Sequence, residues 1–368
     1  MRRARSGSRA ARRACAALLG IAAALLSAEL VLRALPSESL GFVYARGVFT
    51  RPPEFTEDER RNALGFHAAE LPPAEDRAPQ VLLLGDSYVA ALSVPLEETV
   101  GQRLERELDA DGGRSLRVIA AGLPGWGQAE QLEALRALGP HTRSSLVLTL
   151  LLPFNDLRDN HPALEAQANA ELEALARYRP GWLRLRREEA PLFFFESSLL
   201  NQWLSFHAAR RRERTTREAT APLDYEVYVD PPSGAWIEAW ERTERLLLET
   251  ADTARQLGAA YAVALASTPH GVRGPEDGLA ILRASYPALR ERALDLTAPT
   301  RRLERFCREH GIPCLELEAR FAAEQARRSD PLHWPRDGHW NVAGNAFAAQ
   351  QLARFVREVL ASASARAR

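Results

Sequence analysis

The sequence predicts an α/β domain in which an open parallel sheet is covered by helices on both faces. Five short, continuous apolar segments alternate with longer segments whose apolar residues recur at helical spacing. A continuous apolar strand indicates burial on both faces, and its alternation with helices indicates parallel strands joined by helical crossovers. The chain has 368 residues, of which 46% are hydrophobic, so it can bury a large core.

The strands and helices of this domain are predicted from the same two patterns. Strands are predicted at 80–85, 116–121, 146–152, 260–266 and 313–317. Helices are predicted at 97–108, 129–138, 236–257, 300–310 and 343–360. The first strand ends in glycine followed by a short polar segment, which is typical of a chain that leaves the carboxyl edge of a parallel sheet.

Residues 160–235 interrupt this alternation, because they are far longer than an ordinary connection between a strand and a helix. They contain helical patches and an aromatic run at 193–195. We interpret the segment as a helical insertion that covers the strand ends. It also contains a cluster of arginines, Arg210, Arg211, Arg212, Arg214 and Arg217. A solvated helix face is the simpler interpretation of this cluster, and a site for an anionic substrate or lipid headgroups is the alternative.

The N-terminal residues have the pattern of a membrane anchor. Arginine-rich residues 1–13 precede an apolar run at 14–32, which is long enough to cross the hydrocarbon core as a helix. The predicted transmembrane signal anchor is 14–33, with the basic segment 1–13 in the cytoplasm and the remainder of the chain periplasmic. A cleaved signal peptide and a buried helix of a soluble protein are the alternatives. Proline-rich residues 34–78 are predicted to be a linker or stalk, and the folded domain is predicted at 79–362.

Composition excludes several function classes. The 48 basic and 48 acidic residues cancel, so no net charge attracts the chain to nucleic acid. Three cysteines are too few for a disulfide framework, although Cys307 and Cys314 flank a turn and could pair outside the cytoplasm. The sequence contains no spaced Cys or His motif for a metal and no phosphate-binding loop, so we expect neither a metal nor another cofactor.

Polar residues follow several of the predicted strands and converge at one edge of the sheet. Ser87 comes directly after the first strand, in Gly85-Asp86-Ser87. Gly125 follows the second strand, and Asn155 follows the third. His339, with Asp337 two residues before it, precedes the last helix. Because ligands bind at the carboxyl ends of parallel strands, this edge is the predicted site.

These four segments, in this order and spacing, resemble those of the SGNH/GDSL hydrolase superfamily. The resemblance implies a three-layer, flavodoxin-like fold with sheet order 2-1-3-4-5. It also implies serine-based ester chemistry without a cofactor. Asp337-Gly-His339-Trp340 resembles the form found in polysaccharide O-acetyltransferase relatives, and the anchor resembles that of uncharacterised membrane-anchored bacterial members.

The residue types fit this chemistry. A serine hydroxyl needs a base to take its proton, and His339 can act as that base for Ser87 near neutral pH. Asp337 would orient the imidazole and stabilise its charged form. The Ser87 N–H, the Gly125 N–H and the Asn155 amide would form the oxyanion hole. Asp330 and His333 are a second possible acid–histidine pair. We expect Trp126 and Trp340 to line the site and His270 to be structural.

The predicted function is therefore hydrolysis of an extracytoplasmic ester, such as an acylated glycan, through a Ser87 acyl-enzyme. This places the chain among serine carboxylesterases and related acyl hydrolases. One alternative is O-acetyl transfer or deacetylation on a cell-surface polysaccharide. A second alternative is a non-catalytic scaffold that keeps the fold.

Overall fold

A computed structural model of the chain describes residues 3–35, 43–45, 48–50, 54–73, 75–110, 116–176, 198–232 and 234–366. The chain divides into two compact units. The smaller unit comprises Met1–Pro53 and Glu171–Arg217, and the larger one comprises Glu54–Ala170 and Glu218–Arg368.

The secondary structure follows the predicted alternation closely. The strands are β1 Val43–Ala45, β2 Val48–Thr50, β3 Gln80–Gly85, β4 Arg117–Gly122, β5 Ser144–Leu151, β6 Ala260–Leu265 and β7 Cys314–Glu316. The helices are α1 Arg3–Ala34, α2 Ser87–Ala90, α3 Val100–Asp109, α4 Gln128–Leu138, α5 Asp156–Asp159, α6 Pro162–Ala176, α7 Leu199–Ala219, α8 Ala235–Gln256, α9 Pro275–Ser285, α10 Ala298–Glu309, α11 Glu318–Gln325 and α12 Val342–Arg366.

The larger unit is built on a five-stranded parallel sheet in the order β4-β3-β5-β6-β7. Numbered within the sheet, this order is 2-1-3-4-5, so the predicted fold class is confirmed. Helices α3 and α12 pack together on one face of the sheet, and α4 packs on α8 over the other face. The interior strand β3 is fully buried because both of its faces are covered by helices, which explains its continuous apolar sequence.

The structure adds elements that the periodicity did not predict. Helices α9 and α11 are additional, and α11 has only 8 residues. The antiparallel strands β1 and β2 lie within the predicted stalk. The predicted helix at 97–108 is divided into a 3₁₀ turn at Leu96–Glu98 and helix α3. Thr99 is the N-cap of α3, since its hydroxyl accepts a hydrogen bond from the Gln102 N–H. Residues 54–73 were also predicted to be part of the stalk, but they belong to the larger unit. There His67 Nδ1 lies 2.8 Å from the Ala90 carbonyl oxygen.

The insertion at 160–235 contains α6, α7 and a 3₁₀ turn at Leu223–Tyr228. The aromatic run at 193–195 lies outside the described residues. Arg210 and Arg211 are exposed on α7, and the side chains of Arg212, Arg214 and Arg217 lie outside the described residues.

In the smaller unit, α1 contains an apolar stretch at Arg12–Ala34 with a mean hydropathy of 2.2. The stretch is long enough to cross a membrane, and a signal sequence has the same properties. Its large apolar side chains are exposed, among them Leu18, Leu19 and Leu26.

Cys307 and Cys314 are free thiols within hydrogen-bond distance of each other. The predicted possibility of a disulfide between them therefore remains a prediction.

Candidate active site

Ser87 is placed by a tight turn between β3 and α2. The backbone packs so closely after β3 that a Cβ on Gly85 would lie 2.4 Å from Val89 Cγ2, which only glycine avoids. Asp86 then caps the short helix, since its Oδ1 accepts a hydrogen bond of 2.9 Å from the Tyr88 N–H. As a result Ser87 begins α2 at the carboxyl edge of the sheet, with its side chain half-buried.

The structure brings three predicted site residues into one line of hydrogen bonds. His339 Nε2 lies 2.8 Å from Ser87 Oγ, and His339 Nδ1 lies 2.7 Å from Asp337 Oδ1. A carboxylate can only accept, so Nδ1 carries the proton and Nε2 is the acceptor that faces the serine hydroxyl. Gly338 has a φ of +93°, and this left-handed turn allows an aspartate only two residues away to reach the imidazole.

The electrostatics of this line favour a charged pair. Partial burial acts to raise the pKa of Asp337, but the hydrogen bond and the positive charge of His339 outweigh it, so that pKa lies below its ordinary value. Burial likewise acts to lower the pKa of His339, but Asp337, with a smaller contribution from Asp86, raises that pKa above its ordinary value of 6.5. Asp337 therefore makes His339 a stronger base.

Two residues that the sequence did not single out hold the His339 segment against the serine. The Tyr88 hydroxyl lies 3.1 Å from the Gly338 carbonyl oxygen and 3.2 Å from that of Ser267. Ser267 Oγ accepts a hydrogen bond of 2.9 Å from Trp340 Nε1. Tyr88 directly follows Ser87 and Ser267 follows β6, so both could have been suspected from their places at strand ends. Their partners could not.

The predicted oxyanion residues lie on two neighbouring loops. Pro124 and Gly125 occupy a turn in which Gly125 has a φ of +81° and the Trp126 N–H bonds to the Leu123 carbonyl oxygen. Proline followed by a glycine of positive φ is the signature of a type II turn. This loop starts beside the Asp86–Ser87 turn, since a Cβ on Gly122 would lie 2.8 Å from the Asp86 carbonyl oxygen.

Asn155 is joined to Ser87 through a shared carboxylate. Its Nδ2 lies 3.1 Å from Asp86 Oδ2 and 3.2 Å from Asp159 Oδ2, and Ser87 Oγ lies 3.4 Å from the same Asp86 oxygen. Burial, with a further contribution from neighbouring carboxylates, raises the pKa of Asp159 to about 6 despite the opposing effect of Arg158. Both amide hydrogens of Asn155 therefore face carboxylates, and one would have to turn toward an oxyanion.

A buried polar network ties the two loops together. Gln128, at the start of α4, donates to Asp156 Oδ2 over 2.7 Å, and its backbone N–H donates to Asn160 Oδ1 over 2.7 Å. Asn160 Nδ2 in turn donates to Thr243 Oγ1 over 2.8 Å. Such a network fixes the loop that carries Gly125 relative to the one that carries Asn155.

Three other residues considered in the sequence analysis do not take part in the line of hydrogen bonds from Asp337 to Ser87. Asp330 pairs with Arg328, whereas His333 is buried with its Nε2 3.2 Å from Ser267 Oγ, so these two do not form a pair. Trp340 was expected to line the site but is only 1% exposed. The expectation is wrong, because its indole packs between Phe321 and Tyr88 and supports the His339 segment from behind.

A cluster of aromatic rings lies next to Asn155. Phe154 precedes it in the chain and contacts Tyr225, with ring centroids 5.3 Å apart, and Tyr225 contacts Tyr286 at 5.0 Å. These three half-buried rings form what we call the aromatic wall. Behind it, His270 Nε2 lies 2.6 Å from the Tyr228 hydroxyl oxygen, and burial lowers the pKa of His270 to about 4. His270 is therefore a buried, neutral structural residue, as predicted.

Replacement of Tyr88 by phenylalanine should loosen the His339 segment. For the ester hydrolysis at Ser87 that is proposed below, we expect kcat/KM to fall roughly fivefold to tenfold, mainly in kcat, with a loss of about 1 kcal/mol in the free energy of unfolding. Tyr261→Phe is the matched control, since its buried hydroxyl bonds to Thr149 Oγ1 within the sheet. It should lower stability similarly but leave kcat/KM unchanged. Equal kinetic effects of the two variants would argue against a positioning role for Tyr88.

No protein-family model matches the chain, and no curated protein matches it. Among solved structures, the chain is similar to the psychrotrophic esterase EstA from Pseudoalteromonas sp., with 14% identity and a TM-score of 0.38 over 76% of this chain and 97% of the esterase. It is also similar to the lipase/acylhydrolase from Enterococcus faecalis, with 12% identity and a TM-score of 0.40 over 76% and 96%.

A carbohydrate acetylesterase family member from Sinorhizobium meliloti has 14% identity and a TM-score of 0.35 over 77% of this chain and 99% of its own. At this level of similarity none of the three assigns an activity to this chain.

Proposed function

We propose that this chain is a serine ester hydrolase that forms an acyl-enzyme on Ser87. The observation that supports the proposal most is the continuous line of hydrogen bonds from Asp337 through His339 to Ser87 Oγ. A serine hydroxyl within reach of an oriented imidazole is the arrangement that acyl transfer requires.

The reaction follows from this arrangement. Ser87 Oγ attacks the ester carbonyl carbon while its proton passes to His339 Nε2, and Asp337 stabilises the resulting imidazolium. The tetrahedral intermediate collapses by breaking the bond to the alcohol oxygen, which takes the proton from His339. Water then attacks the acyl-enzyme with His339 again as the base, and the carboxylic acid and free Ser87 are restored.

The oxyanion of each tetrahedral intermediate needs donors held in place beforehand. We assign this role to the backbone N–H groups of Ser87 and Gly125 and to the Asn155 amide. The turn at Gly125 and the contact of Asn155 with Asp86 support this assignment. Asn155 would exchange one of its two carboxylate contacts for the oxyanion.

The exposure of the site favours water as the acyl acceptor. The side chains of His339 and Asp337 are 35% and 31% exposed. A base this open to solvent can activate a water molecule once the alcohol has left. Acyl transfer to a sugar would instead require the acceptor to compete with water at an open site.

We assign the substrate to acylated, extracytoplasmic molecules such as esterified glycans. Phe154, the residue before Asn155, and Tyr225, whose ring contacts that of Phe154, are partly exposed, and their rings offer flat apolar surface for a ligand. The apolar stretch in α1 supports an anchor that holds the chain at the cytoplasmic membrane with the catalytic unit in the periplasm.

The activity is tested by a screen of the full chain in mild detergent. The substrates are esters of graded acyl length and acetylated oligosaccharides, each with and without an unmodified oligosaccharide as acceptor. We expect acid release that is independent of the acceptor. Acetyl-sugar formation that outpaces acetate release would contradict hydrolysis, and complete inactivity without labelling by a fluorophosphonate would contradict the acyl-enzyme.

The anchor is tested by extraction of membranes from cells that produce the full chain. An uncleaved helix of this length should keep the chain in the membrane pellet after treatment with alkaline carbonate and release it only with detergent. Release by carbonate, or a mature N-terminus beyond residue 32 by mass spectrometry, would show a peripheral or cleaved form instead.

A further inference from the structure

The acidic residue in the apolar stretch of α1 has a defined partner. Glu29 accepts hydrogen bonds of 3.0 and 2.8 Å from the backbone N–H groups of Leu199 and Leu200, and one of 3.1 Å from Ser198 Oγ. These residues begin helix α7, and Arg33 also donates to Glu29 over 2.8 Å. The carboxylate thus caps the positive end of α7, where it is electrostatically favoured.

This contact sets the level at which α7 begins. Glu29 lies three residues before Leu32, the last residue of the apolar run, which is about 5 Å along a helix. If α1 spans the bilayer as proposed above, the first turn of α7 lies where hydrocarbon meets headgroups. A carboxylate is costly in hydrocarbon, but here its charge is met by Arg33 and by backbone donors of α7.

The sequence of α7 changes from apolar to basic along its length, which suits a helix at the membrane surface. Its first two turns contain Leu199, Leu200, Trp203 and Leu204, and Leu204 is 40% exposed. Tryptophan is enriched at membrane interfaces, and Trp203 packs on His207 with ring centroids 4.2 Å apart. The second half carries five arginines, of which Arg210 begins about 15 Å along the helix from Leu200.

We propose that α7 is an interfacial helix that binds the anionic phospholipid surface of the membrane spanned by α1. Its apolar first turns would lie at the boundary of the hydrocarbon, and Arg210 and Arg211 would contact lipid phosphates. The proposal rests on the anchor in the proposed function but not on the hydrolase activity. Charge complementarity supports it, because residues 210–217 contain five arginines and one glutamate.

The proposal is tested with the full chain reconstituted in lipid nanodiscs. Emission of the wild type minus that of Trp203→Phe reports Trp203 alone. With lipids brominated near the headgroup end of the acyl chain, we expect this difference signal to be quenched by about half or more, and acrylamide in the water to quench it weakly. Strong acrylamide quenching without quenching by brominated lipid would overturn the proposal and would favour a protein or glycan partner.

The arginines are tested by charge reversal at Arg210→Glu with Arg211→Glu. The measured quantity is the mole fraction of phosphatidylglycerol that gives half of the lipid-dependent change in the Trp203 signal. Because each arginine near an anionic surface contributes about fivefold in affinity, the variant should not reach half of this change at the phosphatidylglycerol fraction that saturates the wild type. The matched control reverses Arg305 and Arg308, which are exposed on α10, and should leave it unchanged. An equal shift in the control would overturn the assignment of lipid binding to α7.

Two further readouts complete the test. High salt should weaken the dependence on phosphatidylglycerol, because exposed charges are screened. Glu29→Gln should reduce the lipid quenching of Trp203, and an unchanged signal would overturn the role of the Glu29 cap. Hydrolysis of a soluble acetyl ester is followed in every variant. Loss of the lipid signal with hydrolysis retained contradicts only lipid binding by α7, and an inactive wild type with an intact lipid signal contradicts only the hydrolase.

Discussion

Ser87→Ala should lower ester turnover by at least about a thousandfold while leaving the chain folded. The variant loses the atom that would attack the substrate. In the wild type this atom, Ser87 Oγ, lies 2.8 Å from His339 Nε2. It loses little stability, because Ser87 is half-buried and its side chain adds little apolar packing. The measurements are kcat/KM on an acetyl ester and the midpoint of thermal unfolding.

Ser93→Ala is a suitable control for this variant. Ser93 lies a few residues beyond α2, is buried, and should keep wild-type turnover. Covalent labelling by a fluorophosphonate should be lost in Ser87→Ala and kept in Ser93→Ala. Turnover of more than a few per cent in Ser87→Ala, with the fold intact, would assign the nucleophile to another residue.

Asp337→Asn should have the second largest effect, with a fall in kcat on the order of a thousandfold. The amide can present a hydrogen to Nδ1 and so favour the wrong tautomer of His339, in which Nε2 carries the proton and cannot accept that of Ser87. Asp330→Asn is the matched control, because Asp330 lies in the same loop but pairs with Arg328. The opposite ranking would move the acid–histidine pair to Asp330 and His333. Equal small effects would indicate a Ser–His dyad.

The pH profile tests the same pair independently. His339 acts as a base only when neutral, and Asp337 raises its pKa above 6.5. In the wild type, kcat/KM should therefore fall as the pH drops through an apparent pKa above that value. In Asp337→Asn, the acidic limb of the residual activity should move to a lower pH, since the charge that raised the pKa of His339 is gone. An acidic limb at the same pH in both proteins would contradict the electrostatic effect of Asp337 on His339.

The strands of the sheet could be predicted because their signal is local. A strand covered on both faces must be apolar at every position, as Val81 to Leu84 are, and this requirement is visible without the partners. The boundaries were less predictable where a side chain caps a helix. Thr99 shows this, since its hydroxyl starts α3 later than the apolar spacing indicates. Short helices such as α11 offer too few turns for periodicity to reveal them.

In the candidate site, too, the residues could be predicted from the sequence but their contacts could not. Its residues are recognisable because each follows a strand or precedes the last helix, where a polar side chain meets the edge of the sheet. Their mutual contacts are not local. Ser87 and His339 are 252 positions apart, and Tyr88 and Ser267 are 179 apart. No spacing in the sequence could therefore indicate that Tyr88 holds the Gly338 turn in place.

The alternation of strands and helices, the apolar N-terminal helix and the polar residues at the strand ends are all visible in the sequence, because burial and turn chemistry act on neighbouring residues. Which of these polar residues meet depends on how the chain packs. The packing joined Asp337 to His339 and left Asp330 on the surface, it buried Trp340, and it turned the Asn155 amide toward Asp86 and Asp159. The physical reason is that hydrogen bonding and desolvation depend on distances that only the packed sheet and its loops define.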